Sequence, residues 1–409
     1  DGTALSDPTV DITGDGFHAG EGYEVAPTAT GTITNFGSVT NPVAAGTLNA
    51  ATAASDYTIT PVAGSLSITA RELTVQADDQ QIAYPADRPA NSSLTYTLVS
   101  GSISGETPAY SGSLGYDASL ASDPLTPNTY TNAIVGGTLA LTNSGDFKAA
   151  NYSLTVLPGD LEVVNGEFTV DLTGGSWEYD GNPHGPTLTG TVSGDTVEYF
   201  VSDGSGGWTS TGSTPPTITN VNDGPLTVKV VVTRPGYDPA EDTTTLAITP
   251  ADTTASSDGY TGTYDNLPHG ITVTPAVSGS TVRYSLTNST DPADYTLTTS
   301  PTNTNATTGT TVYFVVTNPN YNPVFGSEVV VINKRTVALT TSDASRMYDG
   351  TALTSPAWDF DTTGNDGFVE EQGFASATAD GSITDVGTAD NTFTYALNGS
   401  TNADNYTIN

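Results

Sequence analysis

The chain has no cysteine, which excludes a disulfide framework and every cysteine-ligated zinc site. Basic residues are scarce as well. Nine Lys and Arg stand against 45 Asp and Glu, for a formal net charge of −36. That balance repels nucleic acid and anionic membrane at long range, so neither is an expected partner. Histidine occurs only at His18, His184 and His269, too scattered to assemble a Ser/His/Asp arrangement. No apolar run reaches the ~18 residues of a membrane-spanning helix, so no membrane insertion is expected of this segment. Hydrophobic residues make up 35% of the 409, low for one large globule and suited to several small ones with much exposed surface.

What the chain does have is repetition. "YDGNPHG" at 179–185 returns as "YDNLPHG" at 264–270, 85 positions later, and "VVVTRPGYDPAE" at 230–241 returns as "FVVTNPNYNPVF" at 314–325, 84 positions later. "DGTAL" stands at residue 1 and again at 349, and these copies are followed by "DYTIT" at 56–60 and "NYTIN" at 405–409. A fixed spacing of this size is the mark of a tandem array of small domains. Alternating stretches such as "ELTVQA" (72–77), "YSLTVL" (152–157), "LTVKVVV" (226–232) and "TVYFVV" (311–316) read as strands, because β-branched and aromatic side chains fit a pleated, half-buried surface. The 43 Gly and 25 Pro lie between them, and no stretch carries a helical period with capping signals. Short strands bounded by turn residues predict an all-β fold of Ig-like β-sandwiches.

Strand-like closing phrases at Ser65–Thr69, Asp160–Val164, Thr245–Thr249 and Glu328–Asn333 place five domains at 1–70, 71–165, 166–249, 250–333 and 334–409. Each closing phrase runs almost directly into the next repeat, so hinge freedom is restricted and an extended rod is expected. Repeat five opens with "TVALTTSDASRMY" (336–348), which repeat one lacks. Repeat one closes with "VAGSLSIT" (62–69), which repeat five lacks. The terminal repeats are therefore expected to be incomplete, with open β edges, and the chain reads as a piece of a longer array or as one completed by a strand from a neighbour.

These phrases resemble known bacterial repeats. Residues 71–165, with "LTVQADDQQIAYPADRPA" and the ending "ANYSLTVLPGDLEVV", are similar to the MBG domain, although Tyr84 is followed by Pro85 where that family usually has Gly. Residues 1–70 and 334–409 resemble YDG-type repeats, from "YDGTAL" (348–353) to "NYTI". Residues 166–333 resemble bacterial Ig-like repeats that open with Tyr-Asp-Gly-x-Pro-His. The resemblance implies β-sandwich modules of large extracellular proteins on the bacterial cell surface, such as adhesins, and it carries no catalytic residues.

Candidate chemistry follows the same logic. His184 and His269 hold equivalent places in two repeats, which points to a turn-stabilising hydrogen bond. Carboxylate pairs such as Asp78-Asp79 and Glu370-Glu371 would need a cleft to act as glycosidase acids, and a sandwich repeat offers none. Catalysis is not expected. "DFDTTGNDGFVE" (359–370) sets Asp359, Asp361 and Thr363 at alternate positions, Gly364 sixth and Glu370 twelfth, the spacing of a calcium loop. Asp366 stands where such a loop has an apolar residue, and no helices flank it. Calcium is the one cofactor considered, with a solvated acidic turn as the competing reading. Lys229 alternates with Val228 and Val230 and is expected to face away from the core. Trp177, Trp208 and Trp358 do not recur between sister repeats, and an exposed Trp among them would suit sugar stacking. The expected function is a structural stalk of a cell-surface adhesin-like protein, its partners the flanking repeats of the same protein. The alternatives are a module that binds a surface glycan or host protein, and a filament assembled through the open edges.

Overall fold

The structure, a computed structural model, describes residues 2–363 and 366–409. It is almost entirely β, with 3-10 turns as the only helical elements among the described residues. The chain divides into two compact units. One comprises Asp1–Val170, Gly190–Val197 and Val231–Glu241, and the other Asp171–Thr189, Glu198–Val230 and Asp242–Asn409. Repeat three contributes to both.

Within the first unit, repeat one is held by short antiparallel pairs. Leu5–Ser6 pairs with Thr32–Ile33, Tyr23–Val25 with Thr47–Leu48, Thr28–Ala29 with Val43–Ala44, and Gly37–Asn41 with Gly64–Ile68. Repeat two is fuller. One sheet runs in the order Gln80–Ala83, Gly159–Val164, Asn128–Val135, Gly115–Tyr116, and another in the order Tyr96–Ser100, Arg71–Ala77, Tyr152–Leu157. Arg71–Ala77 alternates as its sequence predicts: Leu73, Val75 and Ala77 are buried while Arg71 and Glu72 face water. Ala77 from one sheet and Ile134 from the other meet in a cluster with Leu94 and Leu114, which closes the sandwich.

Within the second unit, repeat four is built on a long hairpin, Thr307–Asn318 with Tyr321–Asn333, flanked by Tyr260–Thr263 and Thr281–Ser285. Repeat three shares this plan: Gly175–Glu178 lies parallel to Ala240–Thr249, as Tyr260–Thr263 does to Tyr321–Asn333. Tyr199 and Tyr284, equivalent in sequence, are both buried. Lys229 lies on the strand face opposite the buried Val228 and Val230, with its ammonium over the rings of Phe200 and Trp208 at 5.4 and 5.1 Å.

One expectation needs correction. The recurring phrases suggested that every repeat packs a core of its own. Instead a single cluster joins repeats four and five: Tyr264, Ile271, Tyr284, Val312, Phe314, Val316, Val330 and Ile332 pack with Val337 and Tyr406. The physical reason is the absence of a linker. The strand Tyr321–Asn333 is followed after one residue by Arg335–Val337, so the first side chains of repeat five are delivered onto the end of the repeat-four core.

Candidate functional site at the repeat junctions

The side chains that recur in space, and not only in sequence, lie where one repeat meets the next. Each repeat from two to four ends a short parallel strand on a tyrosine. The backbone N–H groups of Tyr84, Tyr179 and Tyr264 donate to the closing-strand carbonyls of Val164, Thr249 and Asn333 at 3.0, 2.9 and 2.9 Å. This pins each ring at the end of its repeat. There it meets a tyrosine of the following repeat edge to face: Tyr84 with Tyr237 (centroids 5.2 Å apart), Tyr179 with Tyr321 (5.4 Å) and Tyr264 with Tyr406 (5.4 Å). The T-shaped arrangement sets the positive edge of one ring against the negative face of the other.

Beside this aromatic pair sits an asparagine clasp. Asn320, which precedes Tyr321, accepts from the backbone N–H of Val221 at 3.0 Å through Oδ1 and donates Nδ2 to Asn220 Oδ1 at 3.0 Å. Asn405, before Tyr406, does the same with Ala306 N (2.8 Å) and Asn305 Oδ1 (3.0 Å). Asn151, before Tyr152, does so with Phe36 N (2.7 Å) and Asn35 Oδ1 (3.0 Å). The backbone N–H can only donate, so it fixes which end of each downstream amide faces it. The junction between repeats two and three departs from this pattern. Gly236 takes the asparagine's place at φ +83°, and a Cβ there would stand 2.8 Å from the Tyr84 ring. The backbone bonds of the junction are kept: Gly166 N donates to Gly236 O and Asp238 N to Gly166 O, both at 2.9 Å, as Ala251 N does to Asn320 O and Asn322 N to Ala251 O in the next junction.

The two sister histidines lie in matching turns. His184 Nε2 is 3.0 Å from Asp180 Oδ1 and its ring stacks on Trp177. His269 Nε2 is 2.9 Å from Asp265 Oδ1 and its ring stacks on Tyr260. Each imidazole is thereby tied within its own turn, the role its repeated position suggested.

Repeat three also carries a forked ion pair. Arg234 Nε and Nη2 donate to Asp195 Oδ1 and Oδ2, each at 2.8 Å, while the guanidinium lies 4.1 Å over the Phe168 ring. The Arg234 hydrogen bonds, with a further one from Val192 N–H, hold the Asp195 carboxyl down to about 2. Asp180 is likewise lowered to about 2, first by the Asn182 backbone N–H, then by the Asn182 amide and His184. A depressed carboxyl stabilises the fold above its unfolded value of about 3.9, and that contribution disappears as pH falls through the folded value. Acid unfolding of repeat three, followed by tryptophan fluorescence, should therefore steepen between about pH 4 and 2. Asp195→Asn should flatten that limb, and an unchanged limb would count against the pair's role.

The residues of the calcium spacing lie on a strand and in the loop that follows it. Asp359 stands in the middle of the strand Trp358–Phe360, opposite Thr340. Asp361 Oδ1 accepts from the Thr363 N–H and hydroxyl, both at 2.8 Å, Glu370 lies in the following turn, and Gly364 is outside the described residues. Arg335 reaches the same loop, donating to the carbonyls of Gly367 and Asp366 at 2.8 and 3.1 Å. Among the described residues no three His, Cys, Asp or Glu side chains converge as a metal would need.

No known family matches the chain, and no curated protein does. Solved structures similar to it are tandem repeats. The protocadherin gammaB4 extracellular domain has 12% identity and a TM-score of 0.24, covering 71% of this chain and 55% of its own. The N-terminal four Ig domains of Dscam1 show 10% identity and a TM-score of 0.19 over 81% of this chain and 97% of theirs. A tetra-tandem repeat from the extending region of a large adhesion protein shows 16% identity and a TM-score of 0.21, over 71% and 82%. The chain's own strands and sheets make it a tandem array of small β-sandwich-like units. No helix among the described residues is long and apolar enough to cross a membrane.

Sequence reasoning missed the asparagine clasp. Its one visible trace is the residue before each recurring tyrosine: Asp56, Asn151, Gly236, Asn320 and Asn405.

Proposed function

We propose that the chain is a structural spacer in a large adhesin-like protein of the bacterial cell surface. The observation that carries this reading is the junction. Among the described residues a tyrosine pair stands at three of the four junctions and an asparagine clasp at three, with both at the last two, and a device that fixes one repeat against the next is what a stalk requires. The MBG-type and YDG-type phrases support the bacterial assignment, and the near absence of linkers supports an extended chain. Five modules of about 33 Å each would reach roughly 150–200 Å. Small-angle scattering should return a maximum dimension in that range, and a compact particle would refute the spacer reading.

A second reading is favoured by one observation. Trp208 is 39% exposed on an edge strand, beside Phe200 and Lys229, the kind of aromatic platform on which a sugar ring stacks. A glycan array decides it, with Trp208→Ala as the control. The calcium reading of 359–370 rests on spacing alone, and calorimetry that detects neither calcium binding nor a thermal shift would end it.

A further inference from the structure

The tyrosine pairs at the junctions differ in one chemical respect. Tyr264 and Tyr406 are 2% and 4% exposed, and their hydroxyls are engaged through Gln372. Tyr84, Tyr237, Tyr179 and Tyr321 are only half-buried. Among the described residues the hydroxyls of these four have no hydrogen-bond partner in the protein, and they reach solvent. Tyr110 is the one tyrosine there whose hydroxyl is both unpartnered and buried.

Each open pair holds two phenol rings in contact across a junction. The centroids are 5.2 Å apart for Tyr84 with Tyr237 and 5.4 Å for Tyr179 with Tyr321, at interplanar angles of 84° and 74°. The backbone keeps the rings there: Tyr84 and Tyr179 are tied to the closing strands, Tyr237 N donates to Arg234 O at 3.1 Å, and Tyr321 opens the strand Tyr321–Asn333. In a chain without cysteine, phenols are the side chains that oxidation can join to one another. Loss of one electron and the hydroxyl proton leaves a radical with spin on the carbons ortho to the oxygen, and two such radicals in contact couple there. The proton needs somewhere to go, which sets these pairs apart from Tyr96 and Tyr110. Those two rings also touch, at 5.1 Å, but within repeat two. The Tyr110 hydroxyl is shut in without an acceptor, and burial pushes both phenols up in pKa.

We propose that Tyr84 with Tyr237, and Tyr179 with Tyr321, are sites of oxidative dityrosine cross-linking that ties one repeat covalently to the next. The oxidant is hydrogen peroxide acting through a haem peroxidase. Each tyrosine gives up one electron and its hydroxyl proton, and the two radicals form one C–C bond between ortho carbons. The two ortho C–H bonds then break as their hydrogens move to the phenol oxygens, which restores both rings. The two electrons and two protons released reduce one peroxide to two waters. A biaryl carrying two ortho hydroxyls is twisted, not flat, so rings already near a right angle have only to close their gap. The bond closes a long loop of the unfolded chain and restricts it as a disulfide would. Tyr264 with Tyr406, buried and hydrogen-bonded, stays unlinked.

The test treats the intact chain, at high dilution, with a haem peroxidase and hydrogen peroxide. The expected product is a monomer with dityrosine fluorescence and a mass lower by two hydrogens per bond. Tandem mass spectrometry of its digest should place the bonds at Tyr84 with Tyr237 and Tyr179 with Tyr321, and urea unfolding should shift to higher denaturant. Tyr321→Phe keeps the ring and its packing, because the hydroxyl it removes bonds to nothing in the protein. It should lose the bond to Tyr179 and keep the bond at Tyr84, and Tyr237→Phe should do the reverse. Each variant thereby reports on its own folding through the bond it retains. Absence of dityrosine would overturn the proposal. So would bonds that form only between molecules, or bonds at Tyr96 with Tyr110 in place of the junction pairs. None of these outcomes bears on the scattering test of the spacer reading.

Discussion

Tyr264→Ala is expected to remove about 3–5 kcal/mol, the cost of deleting a large buried aromatic, and to remove it from repeats four and five together. Tyr264 is 2% exposed and lies in the cluster that also holds Val337 and Tyr406. Its hydroxyl accepts from Gln372 Nε2 at 2.8 Å, and Gln372 in turn accepts from the Tyr406 hydroxyl at 2.6 Å. Truncation opens a cavity between the repeats and cuts this relay. In urea the unfolding of both repeats should shift to lower denaturant, and the amides of Tyr406–Ile408, paired in parallel with Arg335–Val337, should lose protection from exchange. Tyr264→Phe keeps the ring and drops only the hydroxyl, at about 0.5–1.5 kcal/mol. If Tyr264→Ala weakens repeat four while the exchange of 406–408 stays as it was, the two repeats do not share a core in the energetic sense.

Asn405→Ala should cost about 1–3 kcal/mol, because it strands a buried donor and acceptor. Asn405 is 1% exposed, and its loss leaves the Ala306 N–H and the Asn305 amide without the partners they have across the junction. Asn151→Ala removes the same two bonds at the first junction, but those bonds are solvent-exposed. Water replaces them there, and the cost should be the smaller net value of about 0.5–1 kcal/mol. A double-mutant cycle on Asn305 and Asn405 should show a coupling of about 0.5–3 kcal/mol. A coupling of zero, or equal costs at Asn151 and Asn405, would mean that the clasp is a by-product of the junction and not one of its supports.

Much of this architecture was legible from strand alternation. Leu73, Val75 and Ala77 are buried because every second residue of Arg71–Ala77 points inward, and a period of two is visible in any single sequence. Tyr199 and Tyr284 hold equivalent places in two repeats, and both are buried. The partners of Tyr84, Tyr179 and Tyr264 were not legible, because each ring meets one in the next repeat. The clasp was hidden for the same reason. Asn320 and Asn405 find their partners 99 and 100 positions away, and asparagine in a Thr- and Asn-rich chain reads as an ordinary turn residue. The 359–370 segment has the spacing of a cation loop, and the structure adds that Asp359 lies in a strand and that Asp361 accepts from Thr363.

The sequence alone determined that this protein is a series of sheet-built repeats, because hydrophobic alternation and turn chemistry act over a few residues. Only the tertiary structure decided that repeats four and five share one core and that tyrosine and asparagine fasten the junctions. Those outcomes depend on which side chains meet across a hundred residues of chain, and no local pattern encodes that meeting.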